Sequence, residues 1–351
     1  MTGPMNLKEL SLKLNLSPTT VSRALNGYPE VKAATRERVA AAAKRFNYSP
    51  NPRAIRLATG RARAVGLVIS GAPQNVITNP IFTDFIAGAG ETYSREDFDM
   101  LLSVVAAEGD EAAYRELKSK GKVDGVIVQG MRLDDPRIGL LIQIGMPFVT
   151  HGRATGTRHD YCWLDVNNRR AFLRATEFLL DLGHRRIALV NGPEAFDFAI
   201  RRRAGFTDAL TARGISTDPA LMTSGEMTEL SGFTAASKML EADNAPTAFL
   251  ASSMLSGMGI RRAIEGSGRV MGRDVSVIIF DDDLSYLRNG TDVPIFTATR
   301  SSVREAGKLA AEMLLHRIAN PDSPPEHRLL EAELIIGQST GPVPAPLRAT
   351  L

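Results

Sequence analysis

The sequence has almost no cysteine, no long apolar run and no signal typical of a secreted protein. Its 351 residues include a single cysteine, Cys162, which excludes an intramolecular disulfide and fits a reducing compartment. No apolar stretch approaches the roughly 20 residues that a membrane-spanning helix needs, and the first residues lack the apolar core of a secretory signal. We therefore expect a cytoplasmic protein that has no membrane partner.

Motifs for cofactors, metal ions and catalysis are also missing. No phosphate-binding loop or dinucleotide-binding glycine pattern follows the first predicted strand, so we expect no cofactor. The acidic run at 281–283 lacks a partner carboxylate at the spacing that glycoside hydrolysis needs. The histidines show no spacing typical of metal ligands, and they are His151, His159, His184, His316 and His327. The sequence therefore favours neither an enzyme nor a metalloprotein.

Charge is unevenly distributed, although the whole chain carries only +3. Residues 1–63 hold twelve lysines and arginines against three acidic residues, a net charge of +9, so the remaining residues carry −6. A basic amino-terminal part beside an acidic body indicates that this part binds a polyanion. Since 351 residues exceed what one hydrophobic core usually fills, we expect two or three domains.

Two short helices joined by a tight turn are predicted at the start of the basic part. Leucines at helical spacing give the first helix one apolar face, and Asn6 with Glu9 matches a capping box. Asn15 tolerates the left-handed backbone that a tight turn requires. Ser17 and Pro18 then supply the N-cap and the first-turn proline of a second helix. This spacing is that of a helix-turn-helix.

The second helix has an apolar side and a short polar, cationic side. Val21 and Leu25 are predicted to face a small core, which a third helix at 35–46 completes. A guanidinium can pair with guanine and a threonine methyl can contact thymine, so the polar side suits a DNA major groove. The alternative is a three-helix domain whose basic face is only solvated. The outward residues are Thr19, Thr20, Ser22 and Arg23.

Beyond residue 64, short apolar runs alternate with amphipathic segments. Continuous apolar runs of this kind are typical of parallel strands covered on both faces. The predicted strands lie at 65–70, 100–106, 123–129, 147–150, 187–191, 247–251 and 275–280, and the predicted helices at 81–95, 110–120, 168–182, 201–212, 231–240, 255–265 and 303–318. The pattern predicts a doubly wound α/β body whose strands, about nine or ten, divide into two sheets. A ligand of such sheets binds at the carboxyl ends of the strands.

Motifs of one known family extend along nearly the whole chain. The basic part contains L-S-P-T-T-V-S-R-A-L-N-G-Y-P-E-V at 16–31, Y-S-P-N at 48–51 and R-L-A-T-G-R at 56–61. The body contains V-D-G-V-I-V at 123–128, L-G-H-R-R-I-A-L-V-N-G at 182–192 and V-S-V-I-I-F-D-D at 275–282. With these motifs the chain resembles the LacI/GalR family of bacterial transcriptional regulators.

The resemblance implies an all-α helix-turn-helix domain followed by a two-subdomain, periplasmic-binding-protein-like domain. It also implies a homodimer that binds a double-stranded DNA operator with pseudo-palindromic sequence and a small-molecule effector, expected to be a sugar. The tail contains several prolines and no leucine heptads, which favours a dimer over a tetramer. The expected divisions are a disordered lead at 1–4, a DNA-binding domain at 5–50, a hinge helix and linker at 51–63, an effector-binding and dimerisation domain at 64–341 and a tail at 342–351. The large domain would have an N-subdomain (64–163 and 297–324) and a C-subdomain (164–296 and 325–341).

Family positions that contact DNA are carried over residue by residue. The resemblance assigns Pro18, Thr19 and Arg23 to base reading, and Leu57 to a wedge that the hinge inserts into the minor groove. Proline offers no side-chain donor, so hydrogen bonds to bases are expected from Thr19 and Arg23. The full set is Leu7, Ser17, Pro18, Thr19, Thr20, Ser22, Arg23, Asn26, Tyr48, Asn51, Ala54 and Leu57.

Family positions that contact the effector are carried over in the same way. Arg202 and Asp281 would together bind a vicinal diol of a sugar, and Phe82 and Trp163 would pack on a pyranose face. The full set is Asn79, Phe82, Arg153, Trp163 or Leu164, Arg202, Met227, Ser253, Asp281 and Ser301.

Two departures from the family pattern bear on the effector. Ser253-Met254 stands where many members have Asn-Asp, and the segment from His151 to Arg153 lacks an aspartate that often precedes the arginine. With these residues the chain resembles regulators of α-glucoside uptake, which predicts a repressor that a sugar releases from DNA. Arg153 and Arg202 leave open a corepressor mode, in which a purine or a sugar phosphate tightens DNA binding.

Overall fold

The computed structural model describes residues 5–25, 27–48, 60–70, 77–106 and 109–343. It divides into two compact units, Met1–Arg63 and Ala64–Leu351. No helix within these described ranges is long and apolar enough to cross a membrane. Several predictions lie outside the described residues: those for the lead at 1–4, for Asn26, for Asn51, Ala54 and Leu57 of the hinge, and for the tail beyond 343.

The described residues of the first unit form three helices: α1 (Leu7–Leu14), α2 (Pro18–Leu25) and α3 (Ala33–Arg45). Leu10, Val21 and Val39 are fully buried where the helices meet. Leu25, which the sequence places in the core, is only half-buried, and Ala24 takes the inner position beside Val21. The predicted helix-turn-helix and its third supporting helix are confirmed, with α3 beginning slightly earlier than expected.

Local signals at the turn between α1 and α2 act as predicted. The Asn6 side chain accepts a hydrogen bond from the Glu9 backbone N–H (3.0 Å), and the Glu9 carboxylate accepts one from the Asn6 N–H (3.1 Å). Asn15 ends α1 with a left-handed backbone, φ 51°. The Ser17 hydroxyl accepts a hydrogen bond from the Thr20 N–H at 3.0 Å, which fixes the start of α2.

The second unit contains a sheet of six parallel strands. We call this sheet and the helices that pack on it the first subdomain. In sheet order the strands are β11 (His327–Leu330), β5 (Trp163–Val166), β4 (Phe148–His151), β3 (Gly125–Val128), β1 (Ala64–Ser70) and β2 (Asp99–Val105). One face packs on α4 (Pro80–Arg95) and α11 (Val303–Ala319), and the other on α5 (Asp110–Ser119) and α6 (Pro136–Gln143).

A second six-stranded sheet and its helices form the second subdomain. In sheet order the strands are β12 (Glu333–Ile335), β10 (Thr297–Arg300), β9 (Ser276–Asp281), β8 (Ala248–Ala251), β6 (Ile187–Asn191) and β7 (Met222–Ser224), and only β12 is antiparallel to its neighbour. The helices are α7 (Asn168–Asp181), α8 (Asp197–Ala212), α9 (Glu229–Leu240) and α10 (Met254–Gly266). Two buried apolar clusters lie on the two faces of this sheet. The doubly wound, two-sheet α/β architecture is therefore confirmed.

The described residues contain more strands than predicted. The missed strands are β5, β7, β10, β11 and β12, which have three or four residues each. Each contains polar or charged residues, so none forms the continuous apolar run that marks a buried parallel strand. The short helix α6 was missed as well.

The chain passes between the two subdomains later than expected. β5 lies in the first sheet, so the first crossing follows Val166 and not residue 163. β10 pairs with β9 in the second sheet, so the return follows Arg300 and not residue 296. β11 pairs with β5, and the last crossing therefore falls between Leu330 and Glu333 instead of after 324. Strand pairing decides these boundaries, and the spacing of apolar residues does not report it.

Candidate functional site

The outer face of α2 presents the residues predicted to read bases. Pro18, Thr19 and Arg23 are all exposed. They lie on one side of α2, and the opposite side carries Val21, which is fully buried. A short, polar and cationic face on a capped helix matches the width and the acceptor-rich edges of a major groove.

Other described residues of the predicted DNA-binding set also support the fold of the first unit. The hydroxyl groups of Ser17 and Thr20 share a hydrogen bond (2.8 Å) at the cap of α2. Leu7 and Tyr48 are half-buried against the small core, and burial raises the pKa of the Tyr48 phenol. Ser22 is half-buried too. Leu7, Thr20, Ser22 and Tyr48 are therefore less open to solvent than Thr19 and Arg23, whereas Ser17 is exposed.

A cavity of about 180 Å³ lies at the carboxyl ends of the strands of both subdomains. Strands β3, β4, β5 and β9 all end at it, as expected for parallel sheets. The lining residues are Ile81, Gln129, Gly130, Met131, His151, Gly152, Arg153, Asp165, Val166, Asn168, Phe198, Arg202, Met227, Ser252, Phe280, Asp282, Ser301, Ser302, Val303 and Ala306.

Arg202, on α8, brings a buried guanidinium to the cavity. Its guanidinium carbon lies 3.9 Å from the centre of the Phe280 ring and 4.9 Å from that of Phe198. Nε donates to the Asn168 side chain and Nη1 to the Ser252 carbonyl, both at 2.7 Å. Burial lowers the pKa of Arg202 to about 10, so it remains charged at neutral pH. Nη2 has no acceptor within the described ranges and is left to a ligand.

Asp282, directly after β9, is the carboxylate that acts on this guanidinium. Burial raises the pKa of the Asp282 carboxyl to about 7, and the charge of Arg202 opposes that rise. No described residue donates a hydrogen bond to its side chain. A fixed guanidinium beside an unpaired carboxyl group offers donors and acceptors together, which suits a ligand with hydroxyl groups.

Asp281, which the sequence assigns to the effector site, does not line the cavity. It is buried (4% exposed), and its carboxylate accepts a hydrogen bond from the Asp283 backbone N–H at 2.9 Å. Phe280 and Asp282 do line the cavity, because alternate residues of an extended chain point to the same side. The structure therefore does not place Asp281 at the cavity, where its neighbour Asp282 lies instead.

Arg153, Met227 and Ser301 line the cavity together with Arg202, and their contact with an effector stays a prediction. Arg153 follows β4, and Ser301 follows β10. Met227 precedes α9, and Arg202 lies within α8. The fold thus unites four positions that are far apart along the chain.

Asn79 and Ser253 cap helices and do not line the cavity. Asn79 Oδ1 accepts a hydrogen bond from the Ile81 backbone N–H (3.0 Å) at the start of α4. Ser253 Oγ accepts one from the Ser256 N–H (3.1 Å) at the start of α10. Both side chains satisfy N–H groups that a helix leaves without internal partners. The predicted contacts of these two residues with an effector are therefore not supported.

The aromatic residues predicted to pack on a sugar also lie elsewhere. Phe82 is buried in the first subdomain, and Leu164, the alternative to Trp163, is fully buried. The Trp163 ring stacks on His327 (4.9 Å between ring centres), and the Arg153 guanidinium lies 4.8 Å from its centre. Phe82, Trp163 and Leu164 do not line the cavity, because the strand and helix that carry them turn these side chains toward other neighbours. The predicted contacts of these residues with a sugar are therefore not supported.

Sequence reasoning missed several cavity residues. Phe198 and Phe280 supply the aromatic wall, and Asp165, Asn168 and Ser252 supply polar groups. Most of them lie within a few residues of the carboxyl end of β5, β8 or β9. That position relative to a strand end was the available signal.

His151 ends β4 and lines the cavity as well. Its ring stacks on Phe85 with 4.6 Å between the ring centres. Desolvation lowers the pKa of His151 to about 4, and the Asp165 charge opposes this only in part. The ring is therefore neutral at pH 7 and adds no positive charge to the cavity.

Charge in the cavity is nearly balanced. Arg153 Nε lies 2.8 Å from Asp165 Oδ2, so this guanidinium is already neutralised. Arg202 is opposed by the partly ionised Asp282. A cavity with two cations and two carboxyl groups favours a neutral polar ligand over a strongly anionic one.

Both units match described protein families. Residues 6–51 match the bacterial regulatory proteins of the lacI family, and residues 176–340 match a periplasmic binding protein-like domain. The transcriptional regulator AglR of Rhizobium meliloti (strain 1021) is 45% identical over 342 residues, which are 97% of this chain and 96% of that protein.

Solved structures are similar over the full length. A complex of the transcriptional regulator CelR with cellobiose is 29% identical, covers 95% of this chain and 99% of its own, and has a TM-score of 0.70. The lac repressor dimer bound to operator and the anti-inducer ONPF is 25% identical, covers 96% and 99%, and has a TM-score of 0.82. The likeness therefore includes both the helical unit and the α/β unit.

Proposed function

The chain belongs to the LacI family of bacterial transcriptional regulators, and on that premise we propose that it is a repressor which a neutral sugar releases from its operator. A homodimer would present two copies of the α2 face to a pseudo-palindromic site. The observation that carries the proposal is that the fixed guanidinium of Arg202 and the unpaired carboxyl group of Asp282 line the same cavity. This pair would bind neighbouring hydroxyl groups of the sugar.

Recognition of hydroxyl groups follows from the donor and acceptor groups of this pair that make no hydrogen bond to a described residue. Arg202 Nη2 would donate to one sugar oxygen while the Asp282 carboxylate accepts from a neighbouring hydroxyl group. Two adjacent hydroxyl groups satisfy both, whereas an aliphatic ligand would leave a charge buried and unpaired. Phe198 and Phe280 offer apolar faces for the C–H groups of a pyranose ring.

The corepressor alternative is less well supported by the charges of the cavity. A purine or a sugar phosphate with a dianionic group would need cations that are not already paired. Arg153 is bound to Asp165, and Arg202 faces Asp282, while His151 is neutral. A neutral sugar keeps this balance, and a phosphate would upset it.

The relatives of the chain favour a disaccharide. CelR, a similar protein, is known in complex with cellobiose. The residue pattern around His151 to Arg153 and around Ser253 resembles regulators of α-glucoside uptake. An α-linked glucose disaccharide is therefore the effector that we propose.

Release of DNA would follow from a shift between two conformations of the body. The cavity is formed by residues of both subdomains, so a ligand that contacts both stabilises one relative arrangement of them. If the dimer binds its operator in the other arrangement, the sugar weakens DNA binding by the coupling free energy, typically about 1–3 kcal/mol.

Fluorescence anisotropy tests this proposal directly. The purified protein is bound to a labelled pseudo-palindromic duplex taken from beside its own gene, and maltose, sucrose and trehalose are titrated in turn, with cellobiose as a β-linked control. We expect one α-linked disaccharide to release the DNA and cellobiose to be at least ten-fold weaker. Tighter binding in the presence of a purine or a sugar phosphate, with no effect of any sugar, would replace this proposal by the corepressor mode.

A further inference from the structure

The start of α8 in the second subdomain contacts the first subdomain beside the cavity. The Asp197 backbone N–H donates to the Met131 carbonyl at 2.9 Å. The Thr155 hydroxyl and backbone N–H both donate to Asp197 Oδ1, at 2.5 and 3.3 Å. Asp197 is fully buried. These polar contacts join residues of the two subdomains at one point.

One ion pair crosses between the subdomains at the same point. Arg201 Nη1, on α8, lies 2.7 Å from Oδ2 of Asp165, on β5 of the first subdomain. Each partner also has an ion pair within its own subdomain: Arg201 Nε lies 2.7 Å from Asp197 Oδ2, and Arg153 Nε lies 2.8 Å from Asp165 Oδ2. Asp165 is only 3% exposed, so these interactions are poorly screened by solvent. We call the four side chains Arg153, Asp165, Asp197 and Arg201 the charge cluster.

The distribution of charge would allow the ion pair between the subdomains to break and form again. The first subdomain contributes one guanidinium and one carboxylate, and the second contributes one of each. Separating the subdomains would therefore break the crossing pair without leaving any carboxylate or guanidinium unpaired. A crossing pair whose members had no other ionic partner would instead leave a carboxylate and a guanidinium unpaired when the subdomains separate. The cluster can consequently open and close at a modest free-energy difference.

Asp165 connects this cluster to the cavity, because it belongs to both. Both guanidinium groups bind its Oδ2, whereas Oδ1 has only a long contact of 3.4 Å from the Asn168 side chain. Asp165 lines the cavity, and so does Arg202, the residue that follows Arg201 on α8. A hydroxyl group of a ligand can donate to Oδ1 only while Asp165 is held in this place.

We infer that Arg201 is a positioning residue of the effector site, which holds Asp165 across the two subdomains and thereby makes sugar binding depend on their closure. The inference rests on the proposed function for the identity of the ligand. Arg201 does not line the cavity and acts through Asp165. The sugar, by donating to Asp165 Oδ1 and binding Arg202, would in turn favour the closed cluster.

The decisive variant is Arg201→Met, which removes the charge and keeps most of the side-chain volume. Arg201→Lys is the conservative variant, since it restores one charge without the forked donor. The matched control is Arg169→Met, which breaks an ion pair of the same length with Asp208 (2.7 Å) that joins α7 and α8 inside the second subdomain. Circular dichroism and gel filtration confirm that each variant is folded.

The first measurement is the distance between the subdomains in the absence of any sugar. Cysteines replace the exposed Ala112, at α5 of the first subdomain, and the exposed Ala212, at the end of α8, and both carry spin labels. Unlabelled protein in excess restricts the pulsed dipolar measurement to distances within one chain. We expect a broader and longer distribution for Arg201→Met, an intermediate one for Arg201→Lys and the parent distribution for Arg169→Met. A parent-like distribution for Arg201→Met would overturn the inference, whatever the ligand is.

The second measurement is sugar affinity, followed by the fluorescence of Trp163, the only tryptophan of the chain. Maltose is titrated first. We expect Arg201→Met to bind it at least ten-fold more weakly, while it binds the operator duplex without sugar at least as tightly as the parent protein, because the open arrangement is the one proposed to bind DNA. A changed distance distribution with unchanged sugar affinity would refute the positioning role. If maltose, sucrose and trehalose all fail to bind the parent protein, the proposed function fails, and the distance measurement still decides the role of Arg201.

Discussion

Replacement of Asp282 tests the proposed effector site most directly, because its neighbour Asp281 provides a matched control. Asp282→Asn keeps the size of the side chain and removes the charge that would accept hydrogen bonds from sugar hydroxyl groups. Asp281→Asn makes the same chemical change one residue away, where the carboxylate is buried and accepts the Asp283 N–H outside the cavity. Only the first substitution should affect the sugar.

The size of the effect can be worked from the interactions that are lost. A hydrogen bond to a charged group contributes about 1.5–3 kcal/mol, which corresponds to roughly a ten- to hundred-fold loss of affinity at a pH where Asp282 is ionised. Affinity for the operator without sugar should not change, since Asp282 lies in the cavity of the second unit and not on α2.

The pH dependence provides a second, independent signature. Burial raises the pKa of free Asp282 to about 7, and sugar donors would lower it because they stabilise the ionised form. Sugar binding should therefore be strongest above pH 7 and fall as the pH decreases, by roughly ten-fold between pH 8 and pH 6. His151, with a pKa of about 4, does not titrate in this range. Asp282→Asn should abolish the dependence.

Isothermal titration calorimetry at pH 6, 7 and 8 measures all of these quantities. The parent protein, Asp282→Asn and Asp281→Asn are each titrated with the disaccharide that releases DNA. Equal losses in the two variants, or a parent-like affinity in Asp282→Asn, would refute the assignment of Asp282. A pH profile that survives in Asp282→Asn would show that another group is responsible.

Three further predictions concern the DNA-binding residues and the cavity wall. Arg23→Met should weaken operator binding by about 1–3 kcal/mol but reduce binding to random duplex DNA much less, because base reading is lost together with only one charge. Fluorescence anisotropy on both duplexes measures the two affinities, and equal losses would contradict base reading. Leu57→Ala, in the predicted hinge, should likewise reduce specific affinity far more than nonspecific affinity on the same duplexes, and a uniform loss would exclude the minor-groove wedge. For His151 the folded-state pKa of about 4 lies below the unfolded value near 6.5, so its contribution to stability is complete above pH 6.5 and is lost as the pH falls toward 4. Thermal melts between pH 7 and pH 4 should therefore fall more steeply for the parent protein than for His151→Phe, and parallel profiles would contradict the burial of a neutral imidazole.

The features that sequence reasoning predicted correctly depend on neighbours within a few residues. The capping box of Asn6 and Glu9, the left-handed Asn15 and the cap at Ser17 each involve atoms within one helical turn. Such interactions can be inferred from residue types alone, because their geometry is fixed by the local backbone. The long apolar runs of β1 and β9 predicted parallel strands for a similar reason.

The proposed effector site was only partly predictable, because the alternation of side chains along a strand and the pairing of strands decide which residues line the cavity. A shift of one residue in an extended chain exchanges the two faces, and this exchange separates Asp282 from Asp281. Asn79 and Ser253 stand at helix starts, and the N–H groups there bind their side chains. No local signal distinguishes a polar residue that caps a helix from one that faces a cavity.

By itself, the sequence determined the basic helix-turn-helix, the α/β body and the family to which the chain belongs, since these depend on local backbone preferences, charge and motif. Only the tertiary structure decided where the chain crosses between subdomains and that Asp165 of one subdomain meets Arg201 of the other. The physical reason is that ion pairs and cavities depend on distances of a few ångströms between side chains from separate strands and helices, and the packing of the two sheets sets those distances.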